Sequence, residues 1–192
     1  MSHFKLASKT PAAWVATVLA DFDAFLLDHA AAEKKASGMA LSMLSHYPDR
    51  VELVAAMADL AVEEMIHYRE VVKIIHSRGN ITASDEKDAY VNEFRKSLRK
   101  GSDDYFLDRL LVGGIIEARG AERFGLVAEA LPEGPLKTFY TSISRSEERH
   151  LDLMFELAYS YFDRSVVDQR LALLADIEAA IIARQPLRAA LH

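Results

Sequence analysis

Apolar residues recur in steps of three and four along most of the chain, which is the period of a helix buried on one face. Proline or glycine interrupts this pattern at Pro48, Gly79, Gly101 and Pro132, where helices are expected to end. Six helices are predicted, over residues 11–46, 50–79, 88–100, 103–130, 134–162 and 165–184. No run of useful length alternates as a β-strand does. We therefore expect an all-α fold, a bundle of four long helices with a short crossover helix and an extra C-terminal helix.

The length and composition fit one helical domain over residues 1–192. Hydrophobic residues make up 51% of the chain, which is enough for a sizeable core, and 8 Gly and 5 Pro are too few for a β-sandwich or barrel. The absence of cysteine excludes a disulfide scaffold, a zinc–thiolate site, an iron–sulfur cluster and a cysteine nucleophile. Any metal must therefore be held by Asp, Glu and His.

Charge and hydropathy bear on the partners and the location of the protein. Acidic residues number 29 against 23 basic ones, so the formal charge of −6 gives no overall basic field for a nucleic acid. The first apolar stretch, Ala12 to Ala20, is short and runs into Asp21 and Asp23, unlike a targeting signal. No window resembles a membrane span. We expect a cytoplasmic protein with no membrane partner.

Ionisable residues interrupt the apolar stripes that should face the core. They are Glu33, Glu64, His67, Glu117, Glu147 and His150. An unpaired buried carboxylate costs several kcal/mol or becomes protonated, so four of them in one bundle need a compensating positive charge. Two metal ions would supply it. A metal-free helical interaction module would leave these carboxylates without compensation.

The spacing of these residues repeats. Glu64 with His67 and Glu147 with His150 are the two Glu-x-x-His matches in the chain, and residues at i and i+3 share one helix face. Glu33 precedes Glu64 by 31 positions, and Glu117 precedes Glu147 by 30. One Glu from each of two helices plus Glu-x-x-His from each of two others is the ligand set of ferritin-like di-iron and di-manganese proteins. Two metal ions are predicted, and oxygen and nitrogen ligands without sulfur admit either iron or manganese.

Four stretches of the sequence resemble one particular family within the ferritin-like class. They are Asp28–Ala36, Glu63–Tyr68, Glu117–Arg119 and Ser146–His150. The chain resembles the MiaE family over nearly its whole length, from about Lys5 to Leu187. Members of that family are tRNA hydroxylases acting on 2-methylthio-N6-isopentenyladenosine beside the anticodon.

The resemblance implies a function and roles for the ligands. The enzyme would use O2 to hydroxylate the isopentenyl group, with electrons from an external reductase or ferredoxin. Glu64 and Glu147 would bridge the two irons, Glu33 and Glu117 would be terminal, and each iron would take one histidine. We expect a monomer.

Other residues are weaker candidates. Glu63 is a candidate acidic partner of a ligand imidazole or a solvated helix residue, and His29 is an extra ligand or, more simply, a core histidine. Gly113 and Gly114 would open a pocket beside the metals or allow close helix packing. Exposed cations could contact tRNA phosphates or form an ordinary solvated face. These cations are Lys34, Lys35, Arg95, Lys96, Arg99 and Lys100.

The alternatives remain within the ferritin-like class. One is a ferroxidase or iron-storage protein, which would require a hollow homo-oligomer. Another is a di-iron oxygenase that acts on a small molecule.

Overall fold

The computed structural model describes residues 4–84 and 86–192, whose regular secondary structure is helical with no strand. The helices are α1 (Ala12–Ala20), α2 (Phe22–His46), α3 (Val51–Ser77), α4 (Ala89–Phe94), α5 (Ser102–Ala130), α6 (Pro135–Tyr161) and α7 (Arg164–Ile182). The predicted all-α class is confirmed. In the part of the chain that is described, no helix is long and apolar enough to cross a membrane.

The chain divides into two compact units. One combines the segment that ends at Val15 with residues 87–187 and His192, and the other holds residues 16–86 and 188–191. The single domain expected over residues 1–192 stays a prediction.

The helices α2 and α3 form the hairpin of the second unit. A single helix is predicted over 11–46, but the structure ends α1 at Ala20 and begins α2 at Phe22. The break falls at Asp21, whose carboxylate accepts a hydrogen bond from the backbone N–H of Ala24 at 3.2 Å and so caps α2. The next loop contains Pro48, as predicted.

The helices α5 and α6 form the corresponding hairpin of the first unit. Gly114 allows their close approach, because a Cβ there would lie 2.4 Å from Cε1 of Phe155. At Gly113 a Cβ would lie 3.4 Å from Cε of Met154, which is a tight but tolerable contact. Gly114 thus serves helix packing, whereas close packing at Gly113 and a substrate pocket beside either glycine stay predictions.

The crossover helix is shorter than the predicted 88–100. The helix α4 ends at Phe94 and a 3-10 turn follows to Ser97. Beyond this turn, side chains make hydrogen bonds to backbone groups. Asp108 accepts a hydrogen bond from the backbone N–H of Arg99 at 2.7 Å, and Arg170 donates one to the backbone carbonyl of Ser97 at 2.7 Å. These bonds come from α5 and α7, so the local pattern could not reveal them.

Candidate metal centre

The hairpin α2–α3 brings Glu33, Glu64 and His67 together, and we call them the first ligand group. Helical spacing places Glu64 and His67 on the face of α3 that meets α2. The imidazole Nδ1 of His67 lies 3.6 Å from Oε2 of Glu33 and 3.5 Å from Oε2 of Glu64. All three residues are buried, and each offers one ligand atom within 4.8 Å of those of the others.

The hairpin α5–α6 repeats this arrangement with Glu117, Glu147 and His150, the second ligand group. The imidazole Nδ1 of His150 lies 3.9 Å from Oε2 of Glu117 and 3.9 Å from Oε1 of Glu147. These side chains are also buried, with ligand atoms inside the same 4.8 Å limit. The structure therefore places each predicted Glu with its predicted Glu-x-x-His.

Proton affinities in the first ligand group are strongly shifted. Burial lowers the pKa of His67, but its contacts with Glu33 and Glu64 outweigh burial and raise that pKa to about 10. Burial raises the pKa of Glu33, yet hydrogen bonding to His29 and His67 holds it well below its ordinary range. In the absence of metal, a protonated His67 would offset one of the two carboxylate charges. A metal ion would replace that proton, as metal binding to such groups generally does.

The donor set fits a metal ion. Each ligand group provides two carboxylates and one imidazole, which are oxygen and nitrogen donors without sulfur. Such donors suit iron and manganese. Two carboxylates also match the charge of one divalent ion, so binding an ion would remove the cost of burying them. These buried residues are therefore a candidate metal site.

Two neighbours of the first ligand group were also predicted to take part. The ring Nε2 of His29 lies 2.6 Å from Oε1 of Glu33, and His29 is fully buried. This contact is compatible with a core histidine, and a role of His29 as an extra ligand stays a prediction. Oε1 of Glu63 lies 3.9 Å from Nε2 of His67, beyond hydrogen-bond distance, and its side chain is 38% exposed. The role of Glu63 as an imidazole partner stays a prediction.

The basic candidates differ in their surroundings. Lys34 lies over the ring of Tyr68 at 6.0 Å, and Lys35 donates to the carbonyl of Glu86 at 2.7 Å. Arg99 pairs with Asp104 and Asp108. Lys34, Lys35, Arg95, Lys96 and Lys100 are exposed. Substrate contact by any of them stays a prediction, and Arg99 is the least available because two carboxylates hold it.

Sequence reasoning missed a buried ion pair near the second ligand group. Arg119, two residues after Glu117, donates from Nε to Oε1 of Glu178 at 2.9 Å and from Nη2 to Oε2 at 3.0 Å. Tyr90 donates to the same carboxylate at 3.2 Å, and Arg119 also donates to the carbonyl of Ser8. Arg119 and Glu178 are both 0% exposed. Glu178 interrupts the apolar stripe of α7, the same signal that identified the ligands.

Comparisons with known proteins agree with this fold. A protein named tRNA 2-(methylsulfanyl)-N(6)-isopentenyladenosine(37) hydroxylase from Pseudomonas putida is 33% identical over 92% of this chain and 86% of its own. A protein of the same name from Salmonella typhimurium is 33% identical over 68% of this chain and 48% of its own. The solved structure of Protein 43 with aldehyde deformylating oxygenase activity from Synechococcus matches with a TM-score of 0.91 and 34% identity. The match covers 96% of this chain and 92% of the Synechococcus chain.

The structural match confirms the predicted ferritin-like four-helix bundle, with α4 as the crossover helix and α7 as the extra C-terminal helix. The family described as tRNA-(MS[2]IO[6]A)-hydroxylase (MiaE) matches residues 1–192. Since this match spans the whole chain and the Pseudomonas relative covers nearly all of it, the chain belongs to the MiaE family of tRNA hydroxylases.

Proposed function

We propose that this chain hydroxylates the isopentenyl group of 2-methylthio-N6-isopentenyladenosine in tRNA, using two iron ions, O2 and electrons from a separate reductase or ferredoxin. The observation that supports it most is the pair of buried Glu, Glu-x-x-His groups in a chain that matches this hydroxylase family throughout. When bound, the irons supply the redox chemistry of O2. One oxygen atom enters a C–H bond, and the other leaves as water with two external electrons and two protons.

The chain's own residues hold and shield the metals. The four carboxylates of the two ligand groups carry four negative charges when ionised, which two divalent ions neutralise. Glu33 and Glu117 come from the first helix of each hairpin, and a Glu-x-x-His pair comes from the second. Burial keeps bulk water away from the ligands, as a strongly oxidising reaction requires. The bridging roles of Glu64 and Glu147 stay a prediction.

The tRNA would be held through its phosphates, with the modified base turned out of its stack toward the metals. Exposed lysines and arginines are the side chains that can make phosphate contacts. Arg95, Lys96 and Lys100 lie between α4 and α5, and Lys34 and Lys35 directly follow Glu33 on α2. These two sets are the proposed phosphate contacts. We also propose that the protein acts as a monomer in the cytoplasm.

An oxygenase acting on a small molecule is the second candidate. The specific observation in its favour is the Synechococcus structure, whose name states an aldehyde deformylating oxygenase activity. Its identity to this chain, 34%, is similar to that of the Pseudomonas hydroxylase. Overall identity therefore does not separate the two substrates. The substrate must be decided by turnover.

The test compares the two substrates on one iron-loaded sample. Prenylated tRNA or an aliphatic aldehyde is incubated with the protein, a reductant and O2, and the products are analysed by mass spectrometry. One added oxygen on the prenylated adenosine, without consumption of the aldehyde, is the expected result. Turnover of the aldehyde alone would establish the second candidate. Iron uptake into a large oligomer without either product would indicate ferroxidase or storage activity.

Two variants serve as the matched pair for this test. Glu117→Ala removes a ligand and should lower iron content and abolish hydroxylation. Glu129→Ala removes an exposed glutamate from the same helix and should leave both unchanged. Full activity in Glu117→Ala would contradict the ligand assignment.

A further inference from the structure

Gly120 is a buried glycine within α5, one turn after the ligand Glu117. Glycine lowers helix stability relative to alanine, so a helix interior normally contains it for a reason. Its backbone gives none, since the described glycines with positive φ are Gly79, Gly101 and Gly134. Gly120 is therefore not required by backbone conformation.

Steric exclusion does not explain Gly120 either. A Cβ there would lie 3.6 Å from Oε2 of Glu147, 3.8 Å from its Cγ and 3.8 Å from Cε2 of Phe124. These are ordinary van der Waals distances. At Gly114, by contrast, a Cβ would lie 2.4 Å from Phe155, so that glycine is needed for packing. A methyl group fits at Gly120 and yet is absent.

The missing methyl group lies beside one particular side chain. Oε1 of Glu147 is the oxygen that faces His150, at 3.9 Å from its Nδ1. Oε2 is the oxygen beside Gly120, and the Cγ of the same side chain is also near. Gly120 thus borders Oε2, which moves when the carboxylate of Glu147 rotates about its Cγ–Cδ bond.

We propose that Gly120 is a positioning residue that leaves the carboxylate of Glu147 room to rotate on the metal. A carboxylate can bind an ion through one oxygen or through both, and a change between these modes swings the second oxygen. With a methyl group in contact with Oε2 and Cγ, that swing would be hindered while the resting position stayed allowed. This inference rests on the proposed function only in assigning Glu147 to a metal.

The rotation matters most when a further ligand enters the metal site. An incoming small ligand needs a coordination position, and Glu147 can vacate one by releasing one oxygen. Gly120→Ala should therefore reduce the affinity for added ligands without reducing metal content. Gly120→Ser, with a larger side chain, should have a greater effect in the same direction.

The experiment titrates azide into the oxidised, iron-loaded protein and follows its visible absorption. We expect Gly120→Ala to keep two irons per chain, to raise Tm by about 2 to 4 °C through helix propensity, and to bind azide at least about tenfold more weakly. With tRNA as substrate, kcat should fall by a similar factor while KM stays unchanged. The matched control is Gly38→Ala on α2, where a Cβ would meet nothing within 4 Å. Gly38→Ala should raise Tm and leave the affinity for azide unchanged.

Two results would overturn the proposal. One is wild-type azide affinity in both Gly120→Ala and Gly120→Ser. The other is a loss of bound iron in Gly120→Ala, which would show that the glycine serves assembly of the site. Azide binding is measured without tRNA, so it still decides the role of Gly120 if the wild-type protein proves inactive on tRNA.

Discussion

Replacing Glu178 by alanine would leave the guanidinium of Arg119 buried without its main counterion. Both side chains are 0% exposed, and two parallel hydrogen bonds of 2.9 and 3.0 Å join them. The hydroxyl of Tyr90 would lose its acceptor as well. The variant therefore removes three hydrogen bonds and one charge from the interior of the first unit.

The cost can be estimated from this geometry. Breaking one buried ion pair costs about 3–5 kcal/mol, because the remaining charge has lost its compensation. Arg119 retains its contacts with Glu122 and with the carbonyl of Ser8, so the lower end of this range applies. We expect a loss of about 3 kcal/mol in the free energy of unfolding. For a chain of this size that loss lowers Tm by roughly 6–12 °C.

Urea denaturation and thermal unfolding of metal-free protein would measure the loss. Asp176→Ala, at an exposed position of the same helix, is the matched control and should change the free energy of unfolding by less than about 0.5 kcal/mol. The double variant Arg119→Met/Glu178→Leu should lose less than the sum of the losses in Arg119→Met and in Glu178→Leu, since no unpaired charge remains. A loss below about 1 kcal/mol in Glu178→Ala, or strict additivity in the double variant, would refute the reasoning.

Three further predictions concern packing, acid stability and substrate binding. Gly114→Ala should destabilise the fold by about 1–3 kcal/mol through overlap with Phe155, and an increase in Tm would contradict this. Burial raises the pKa of Asp108, but hydrogen bonds from two arginines outweigh it and lower that pKa. Asp108→Asn should therefore destabilise the protein near neutral pH, and its deficit in urea denaturation should shrink as pH falls through the lowered pKa. If the stability deficit of Asp108→Asn stayed the same at acid pH, this role of the Asp108 charge would be contradicted. Arg95→Glu/Lys96→Glu should weaken tRNA binding at low salt while iron stays bound, and unchanged affinity would exclude these phosphate contacts.

Much of the site could be predicted because its residues break a local pattern. Glu64 and His67 interrupt the apolar stripe of α3 at helical spacing, and Glu147 and His150 do the same on α6. The repeated distance to the preceding helix then identified the partner glutamates. Periodicity and spacing depend only on residues near one another in the chain, so they can be detected in a single sequence.

Features set by distant contacts escaped the sequence analysis. The crossover helix ends at Phe94, and Asp108 and Arg170, from later helices, bond the backbone of Arg99 and Ser97 beyond it. The pairing of Arg119 with Glu178 depends on which face of α7 meets α5, and neither helix encodes that alone. Asp21 was a local signal that was missed, because the apolar pattern on both sides of it reads as one continuous helix.

The origin of the inserted oxygen tests the central claim most directly. Iron-loaded protein, a reductant and prenylated tRNA are incubated under isotopically labelled O2, and the nucleosides are then analysed by mass spectrometry. The account predicts one labelled oxygen atom on the isopentenyl group of the modified adenosine, and no gain with Glu117→Ala. An unmodified nucleoside in the presence of two bound irons, or an added oxygen that carries no label, would contradict it.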